Sequence, residues 1–149
     1  MELIIRPLKL EDYEQVKNIN ILTQKQYLGE NWNENEEQLI SKKSEFSTNV
    51  DTGYSLVAQA DGKIVGFLFA HETLPFLGTL HIRHIAILPK HQGHGIGGKL
   101  YERLVEIAGA KNIQNIESYI NDDNPNSQKL HKKAGFKLRK WWRGELKIT

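Results

Sequence analysis

A glycine-rich segment, Gly93-His94-Gly95-Ile96-Gly97-Gly98, constrains this chain more than any other part of its sequence. An apolar run from Leu80 to Leu88 precedes it and predicts a strand, and a run with helical spacing follows it to about Ala108. Four glycines in six residues let the backbone approach a bound group closely, and the first amides of a helix have no partner inside the helix. Because the helix dipole also favours negative charge at that end, the segment indicates a phosphate-binding loop more strongly than a simple tight turn.

The same segment matches G-x-G-x-x-G, the fingerprint of dinucleotide-binding proteins, and Glu117 stands near the distance expected for their ribose-binding acid. That fold is built from several parallel βαβ units, whereas only about fifty residues follow the loop here. The strands before the loop are predicted to be antiparallel. A nicotinamide or flavin dinucleotide is therefore disfavoured, and the pattern alone leaves it open.

The segment around Asp61-Gly62 predicts a β-hairpin. Two runs rich in β-branched and aromatic residues, Tyr54 to Ala60 and Lys63 to Ala70, flank this dipeptide. Asp-Gly suits the two positive φ angles of a type I′ turn, which is the common two-residue connection between antiparallel strands. The strand from Leu80 to Leu88 follows after a loop that contains Pro75 and Gly78.

The remaining periodicities complete the predicted order of elements. They place a strand at Leu3–Arg6, a helix from about Leu10 with Tyr13, Val16, Ile19 and Leu22 on its apolar face, a helix from Glu34 to about Phe46 with Asn33 as its N-cap, a strand at Ile113–Ile120, a helix at Pro125–Ala134 ended by Gly135, and one or two strands from Phe136 to about Ile148. The order β-α-α-β-β-β-α-β-α-β predicts an α/β fold with a mixed sheet and helices on both faces, in a single domain over residues 1–149.

Composition excludes several kinds of chemistry. The chain has no cysteine, so disulfides, thiolate metal ligands and a cysteine nucleophile are excluded. No histidine pair has a third ligand at sensible spacing, so no metal site is predicted. The N-terminus reads as a strand and lacks the apolar region of a signal peptide, and no stretch approaches membrane-spanning length. We expect a cytoplasmic protein without a membrane partner.

Charge is unevenly distributed along the chain. The net charge of +2 is too small to predict a nucleic-acid partner, yet eight Lys or Arg residues stand between Lys129 and Lys147 against Glu145 alone. An anionic partner near this end is one interpretation, and a solvated basic face is the other. A small basic RNA-binding module stays as an alternative, although the chain contains no recognised RNA-binding motif.

The glycine segment also fits a second pattern, Gln/Arg-x-x-Gly-x-Gly/Ala, as Gln92-Gly93-His94-Gly95-Ile96-Gly97, after a strand that ends Ile85-Ala86-Ile87-Leu88-Pro89. Here the chain resembles the GNAT superfamily of N-acetyltransferases, whose pyrophosphate loop follows such a strand. The segment Asn124-Pro125-Asn126-Ser127-Gln128-Lys129-Leu130-His131-Lys132-Lys133-Ala134-Gly135-Phe136 resembles a second family motif, Asn-x-x-Ala-x-x-Leu-Tyr-x-x-x-Gly-Phe. The resemblance covers nearly the whole chain in element order.

The resemblance implies an N-acetyltransferase that uses acetyl-coenzyme A and no metal, and that passes acetyl directly to a primary amine in a sequential mechanism. It implies that backbone groups of Ile85 and Ile87 bind the pantetheine arm. The full set of implied cofactor-binding residues is Ile85, Ala86, Ile87, Gln92, Gly93, His94, Gly95, Ile96, Gly97, Gly98, Lys99, Asn124, Ser127 and Lys129. A helix N-cap is an equally good interpretation of Asn124. A non-catalytic acyl-coenzyme A sensor is the main alternative function.

Direct transfer requires a neutral amine, and the resemblance implies His81 as the base or water-relaying base. A neutral imidazole can accept a proton at physiological pH. If the strand alternates regularly, His81, Arg83, Ile85 and Ile87 share one face and His84 lies on the other, unless a bulge shifts them. A packed strand histidine is an interpretation of comparable weight.

The acceptor is expected to be a small molecule or a peptide with a primary amine, and its contacts are less well specified. Trp32 and Glu30 lie in the loop between the first two helices, where related proteins build the acceptor site. Arg83 could bind a carboxylate of the acceptor, and Tyr119 completes the predicted contacts. Of Trp141 and Trp142, which alternate on the predicted late strand, one is expected to enter the core. A homodimer is expected from family habit alone.

His131 occupies the position of the tyrosine that the family is proposed to use for protonating the departing thiolate. Because histidine donates a proton well only near its own pKa or through its neutral N–H, the replacement calls for a direct test. We predict that His131→Tyr retains substantial activity and that His131→Phe loses much of it, as measured by the rate of thiol release. Equal activity of the two variants would remove His131 from the mechanism.

Overall fold

The computed structural model describes residues 2–33, 43–75 and 77–148. Its strands are β1 (Leu3–Pro7), β2 (Leu56–Ala60), β3 (Lys63–Glu72), β4 (Thr79–Ile87) and β5 (Asn115–Ser118), and its helices are α1 (Tyr13–Leu28), α2 (Lys43–Asp51), α3 (Ile96–Ala110) and α4 (Pro125–Lys133). The five strands form one sheet in the order β1-β2-β3-β4-β5. The first four pair antiparallel, and β5 runs parallel to β4. This confirms the predicted mixed α/β fold.

The chain divides into two compact units, residues 1–119 and 120–149. The first contains the whole sheet with α1, α2 and α3, and the second contains α4. The single domain expected over residues 1–149 stays a prediction.

The predicted hairpin is confirmed at its turn. Asp61 has a φ of 50° and Gly62 a φ of 82°, as a type I′ turn requires. The β2–β3 ladder that follows contains one bulge, because Ala58 pairs with Gly66 while Gln59 pairs with Ile64. The bulge keeps apolar residues of β3 in the core on both sides of the irregularity.

Helices cover both faces of the sheet, because the strands alternate between two sets of buried side chains. Val57, Phe67 and Phe69 form one core cluster with residues of α1 and α2, namely Tyr13, Val16, Ile19 and Phe46. Leu56 and Leu68 alternate with that set along the strands, and are buried on the face that α3 covers. Leu100, Leu104 and Ala108 of α3 are buried.

Two sequence expectations need correction. In the first helix Tyr13, Val16 and Ile19 are buried, but Leu10 and Leu22 are exposed. Leu10 belongs to a 3-10 turn that precedes α1. The helix predicted from Glu34 to about Phe46 lies largely outside the described residues and is helical in its described part, from Lys43.

The second correction concerns the chain end. Residues 136–148 form neither helix nor strand, so the one or two strands expected there are not observed. Apolar alternation makes a segment suitable for a strand, but a strand also needs a hydrogen-bonding neighbour. Trp141 and Trp142 are 75% and 97% exposed, so neither enters the core.

A buried ion pair joins β1 to the start of the first helix. Two guanidinium nitrogens of Arg6 each lie 2.8 Å from a carboxylate oxygen of Asp12, whose side chain is only 4% exposed. The Lys9 amide also donates to Asp12 at 2.8 Å. Burial by itself would raise the pKa of Asp12, but these hydrogen bonds and the charge of Arg6 outweigh it and lower that pKa.

We predict that Asp12→Ala lowers the free energy of unfolding by about 3 kcal/mol, because it leaves the charge of Arg6 partly buried without its carboxylate. Chemical denaturation at pH 7 measures this. The pKa of Asp12 is lower in the folded chain than its ordinary value of 3.8. Ionised Asp12 therefore stabilises the folded chain above pH 3.8, and this contribution is lost as the pH falls below that value. The control is Glu11→Ala at an exposed neighbouring residue, which should change the free energy of unfolding by less than about 0.5 kcal/mol.

Candidate active site

The glycine loop places bare amides at the start of α3. Gly93 and Gly95 have φ angles of 81° and 80°, which residues other than glycine rarely adopt. The Lys99 amide donates to the Gly95 carbonyl at 3.1 Å and so makes the first hydrogen bond of the helix. The amides of residues 96–98 precede that bond, and no side chain caps the helix at Gly95. This end of α3 is therefore suited to an anion.

The side chain of Gln92 joins this loop to two other elements. Its Nε2 donates to the Ile87 carbonyl of β4 at 3.0 Å and to Oε1 of Gln26 in α1 at 2.9 Å. Gln26 returns a hydrogen bond to Gln92 at 3.1 Å. The loop is thus held beside the end of β4 by a side chain that sequence pattern assigned only to cofactor binding.

One edge of β4 is paired over only part of its length. Strand β5 pairs with Thr79–Ile82, and within the described residues no strand pairs with that edge from Arg83 to Ile87. The Leu88 amide donates to the Val65 carbonyl at 2.8 Å. In an antiparallel pair only every second residue bonds to the neighbouring strand, so in β4 the residues next to Leu88 in this alternation do not bond to β3. The amides of Ile85 and Ile87 accordingly point away from β3, toward the open edge.

A β-bulge interrupts β4 at Arg83. His84 pairs with Phe69 and Ile82 pairs with Ala70, so Arg83 has no opposite residue on β3. A bulge adds one residue to one strand and reverses the alternation of side chains beyond it. The alternation expected from the sequence therefore fails at this point.

The bulge decides which side chains of β4 lie together. His81 and His84 lie on the face covered by α1, where His84 stacks on Phe67 with a ring-centroid distance of 5.4 Å. Ile87 lies on the opposite face, where its side chain and Ile96 of α3 both approach Gly66. The expectation that His81 shares a face with Ile85 and Ile87, opposite His84, is wrong for this reason.

His81 lies at the centre of a row of titratable side chains across three strands. The register places His71 of β3 and Glu117 of β5 on either side of it. The ring centroids of His71 and His81 are 5.4 Å apart, and Nδ1 of His81 lies 3.6 Å from a carboxylate oxygen of Glu117. The Tyr119 ring is 5.3 Å from that of His81. His71 carries no motif of its own in the sequence, since only the strand register brings it to His81.

Burial is the largest influence on His81, and it lowers the pKa of the imidazole. The charges of His71 and Arg83 lower it further, whereas the carboxylate of Glu117 raises it. The net effect is a lowered pKa, so His81 is neutral at pH 7 and can accept a proton.

The residues predicted to contact an acceptor are placed as follows. Arg83 is exposed at the bulge, and within the described residues it has no hydrogen-bond or ion-pair partner. Tyr119 is 70% exposed beside His81. Trp32 follows the exposed Glu30, and the Lys25 ammonium lies 4.5 Å from the centre of its ring. One face of Trp32 is therefore already covered by a cation of the chain itself.

The unit formed by residues 120–149 holds the second motif. Asn124 caps α4, because its side-chain oxygen accepts a hydrogen bond from the Ser127 amide at 3.1 Å. His131 is 1% exposed, and its Nδ1 lies 2.7 Å from the Ser127 carbonyl. A carbonyl only accepts, so Nδ1 carries the hydrogen, and the neutral ring has none on Nε2. Burial also lowers the pKa of His131. Lys129 is exposed.

The described residues contain neither a metal-binding cluster nor a membrane-spanning helix. No group of three or more His, Asp or Glu side chains is placed to hold a metal ion among them. Within the same ranges, no helix combines the length and the apolar character needed to cross a membrane.

Comparison with known sequences points to one family. The sequence model of the acetyltransferase (GNAT) family matches residues 16–136. The chain is 27% identical over 111 residues to the L-methionine sulfoximine/L-methionine sulfone acetyltransferase of Pseudomonas aeruginosa, a match that covers 72% of this chain and 64% of that protein. It is 29% identical over 75 residues to the L-2,4-diaminobutyric acid acetyltransferase of Nocardia farcinica, covering 50% of this chain and 39% of the relative. The chain thus spans less than two thirds of the length of either relative.

A solved structure shares the fold. The PaiA N-acetyltransferase of Thermoplasma acidophilum, in complex with coenzyme A, superposes with a TM-score of 0.83 at 21% sequence identity. The superposition covers 93% of this chain and 92% of that one. At this identity the likeness establishes the fold and leaves the chemistry to be tested.

His84 provides a test of the site's electrostatics. Its Nε2 is buried with no hydrogen-bond partner among the described residues, and burial lowers its pKa to about 4 from the ordinary 6.5. The unfolded chain therefore takes up this proton at higher pH than the folded one. Protonation of the unfolded chain therefore lowers the free energy of unfolding at acid pH. We predict that this effect of His84 is absent above pH 6.5 and lowers the free energy of unfolding by at most about 3 kcal/mol as the pH falls to 4.

Thermal unfolding between pH 7 and 4.5 measures the decline, which should shrink in His84→Phe. The exposed Val105 supplies the matched variant, since Val105→Thr should leave the pH dependence unchanged. An NMR titration in which the His84 signal moves with a midpoint near 6.5 would contradict the prediction.

Proposed function

Because this chain belongs to the GNAT family of acetyltransferases, we propose that it transfers acetyl from acetyl-coenzyme A to a primary amine of a small molecule or peptide. The observation that carries the proposal is the open edge of β4 from Arg83 to Ile87, which ends beside the bare amides of α3. When bound, the thioester supplies an activated acyl group with a thiolate leaving group. The mechanism we propose is sequential, with both substrates bound before the amine attacks.

The glycine loop would hold the diphosphate of the coenzyme. The amides of residues 96–98 and the positive end of the α3 dipole favour the anion. Gly93 and Gly95, which adopt positive φ angles, have no side chain that could obstruct it. Lys99 lies one residue further along the helix, with its ammonium 3.3 Å from Glu102. In this role Lys99 exchanges part of that exposed pairing for a phosphate.

The open edge of β4 would hold the pantetheine arm as though it were an added strand. Ile85 and Ile87 present backbone groups there, but the Ile87 carbonyl is already engaged by Gln92. Among the described residues, the Ile87 amide and the backbone groups of Ile85 therefore remain for a ligand. An amide on this edge can also polarise the thioester carbonyl, since a fixed donor stabilises charge that develops on oxygen.

His81 is the base in the proposed mechanism. At pH 7, removing a proton from an amine like that of lysine costs roughly 4 to 5 kcal/mol, whereas an α-amine costs roughly 1. An imidazole with a lowered pKa is neutral at that pH and accepts the proton readily, although it is a weaker base than an unperturbed histidine. This balance favours acceptors with amines of low pKa.

An α-amino acid fits these groups best. Arg83 lies exposed beside His81, at the bulge, without an acidic partner among the described residues. Its guanidinium can bind a carboxylate while His81 and Glu117 receive the amine. The two relatives described above are named for acetylation of amino acids or amino-acid derivatives. Glu30, Trp32 and Tyr119 would complete the acceptor contacts.

Three further expectations belong to the proposal. They are the proton-donor role of His131, the homodimer and the cytoplasmic location. For His131, the hydrogen bond from Nδ1 to Ser127 favours a ring that accepts at Nε2, so its role depends on the Tyr and Phe variants.

The proposal is tested with the purified chain in two steps. Calorimetric titration should detect binding of coenzyme A, and Gly95→Val should weaken it at least about tenfold because valine is strained at a φ of 80°. A thiol-release assay with L-methionine sulfone, L-2,4-diaminobutyrate, spermidine and a peptide with a free N-terminus should give turnover with the amino acids. Glu106→Gln, on the exposed surface of α3, is the matched control.

Each result has a defined meaning. Coenzyme A binding without thiol release from any amine would identify an acyl-coenzyme A sensor in place of an enzyme. Absence of binding would refute the family's cofactor for this chain. Turnover of spermidine or the peptide alone would refute the amino-acid acceptor while leaving the transferase in place.

A further inference from the structure

The pairing of His71 with His81 has no role in the mechanism described so far. The two rings lie beside each other on the neighbouring strands β3 and β4, tilted at an interplanar angle of 55° with a centroid distance of 5.4 Å. Both side chains are half-buried on the face where the acceptor amine is proposed to bind. Two imidazoles in contact at a proposed proton-transfer site require an explanation beyond packing.

The hydrogen-bond partners determine which nitrogen of His71 carries the hydrogen. Nδ1 of His71 lies 3.1 Å from the backbone carbonyl of Glu72, and a carbonyl only accepts. Neutral His71 therefore has its hydrogen on Nδ1 and a lone pair on Nε2. The carboxylate of Glu72 is engaged elsewhere, because it accepts a hydrogen bond from the Gly78 amide at 2.9 Å.

The tautomer of His81 is set by the Glu117 carboxylate. Its Nδ1 faces the Glu117 carboxylate at 3.6 Å, a distance too long for a direct hydrogen bond but short enough to favour the hydrogen on that nitrogen. Nε2 of His81 then also carries a lone pair. The pair thus offers two Nε2 proton acceptors, each with its tautomer set by an oxygen behind the ring.

The surroundings oppose two protons on the pair. The charged groups that face His81 are His71 on β3, Arg83 on its own strand and Glu117 on β5, with the phenol of Tyr119 beside them. Only Glu117 favours a proton on His81, and its side chain is 49% exposed, which weakens its effect. A proton gained by His81 is therefore unstable while His71 is charged, and is readily passed on while His71 is neutral.

We infer that His71 is the second proton acceptor of the active site, receiving through a bridging water the proton that His81 removes from the acceptor ammonium. The inference rests on the proposed function. Acetylation of an ammonium by a thioester yields an amide, a free thiol and one proton. The first proton leaves the nitrogen for Nε2 of His81, and passes to Nε2 of His71 and then to solvent. The second amine proton, lost when the N–C bond forms and the C–S bond breaks, goes to the thiolate.

The test replaces His71 with a side chain that cannot accept this proton. In His71→Gln, kcat for L-methionine sulfone at pH 7 should fall about tenfold, at the lower end of effects for general-base groups, with KM for acetyl-coenzyme A unchanged. Added imidazole should restore much of the lost kcat by accepting the proton from His81. A variant that only loosens packing would not be rescued in this way.

A second measurement requires no turnover. NMR titration of the histidine ring protons should show that the pKa of His81 rises in His71→Gln, because the variant removes a neighbouring positive charge. In the wild-type chain the His81 signal should titrate in two steps, since the neighbouring ring of His71 is coupled to it. Glu106→Gln should reproduce the wild-type curves.

The outcomes separate the inference from the proposed function. An unchanged kcat and an unchanged His81 titration in His71→Gln would refute the role of His71 while the transferase stands. If the variant does not fold, a simple one-step titration of His81 in the wild-type chain would refute it equally. Coupled titrations in a chain without thiol release would refute the proposed function and leave only the coupled pair.

Discussion

The whole site depends on how strand β4 is paired. Along one edge it is paired with β3 from end to end, apart from the bulge, while along the other β5 pairs only with Thr79–Ile82. The unpaired stretch leaves backbone amides directed outward, and a polar backbone without a partner is favourable only where water or a ligand can reach it. The gap is therefore the feature from which both the cofactor proposal and the acceptor proposal follow. Gln92 holds the glycine loop at one end of this gap.

The bulge at Arg83 matters as much as the gap, because it reverses the alternation of side chains within the strand that the site uses. Without it, His81 would lie on the same face as Ile85, beneath α3. With it, His81 faces His71 and shares a face with His84, on the side where α1 covers the sheet. Arg83 itself is left exposed at the irregularity. One inserted residue thus brings a base, a neighbouring imidazole and a cation to one place.

Histidines on this face have different environments and consequently different tasks. His84 is enclosed against Phe67, and its burial keeps it neutral down to low pH. His81 is less enclosed, and the carboxylate of Glu117 partly offsets the effect of burial on its pKa. The graded burial along β4 explains why a strand can carry two histidines of which only one is suited to acid–base chemistry.

The sequence by itself determined the glycine loop at a helix start, the Asp-Gly hairpin, the mixed order of strands and helices, and the caps of α4 at Asn124 and Gly135, because each depends on local backbone preferences. Only the tertiary structure decided the bulge at Arg83, the pairing of His71 with His81 and the ion pair of Arg6 with Asp12. The predicted strand over residues 136–148 failed for the same reason: strand register and pairing depend on neighbours far away in the chain, and alternation in one segment does not specify them.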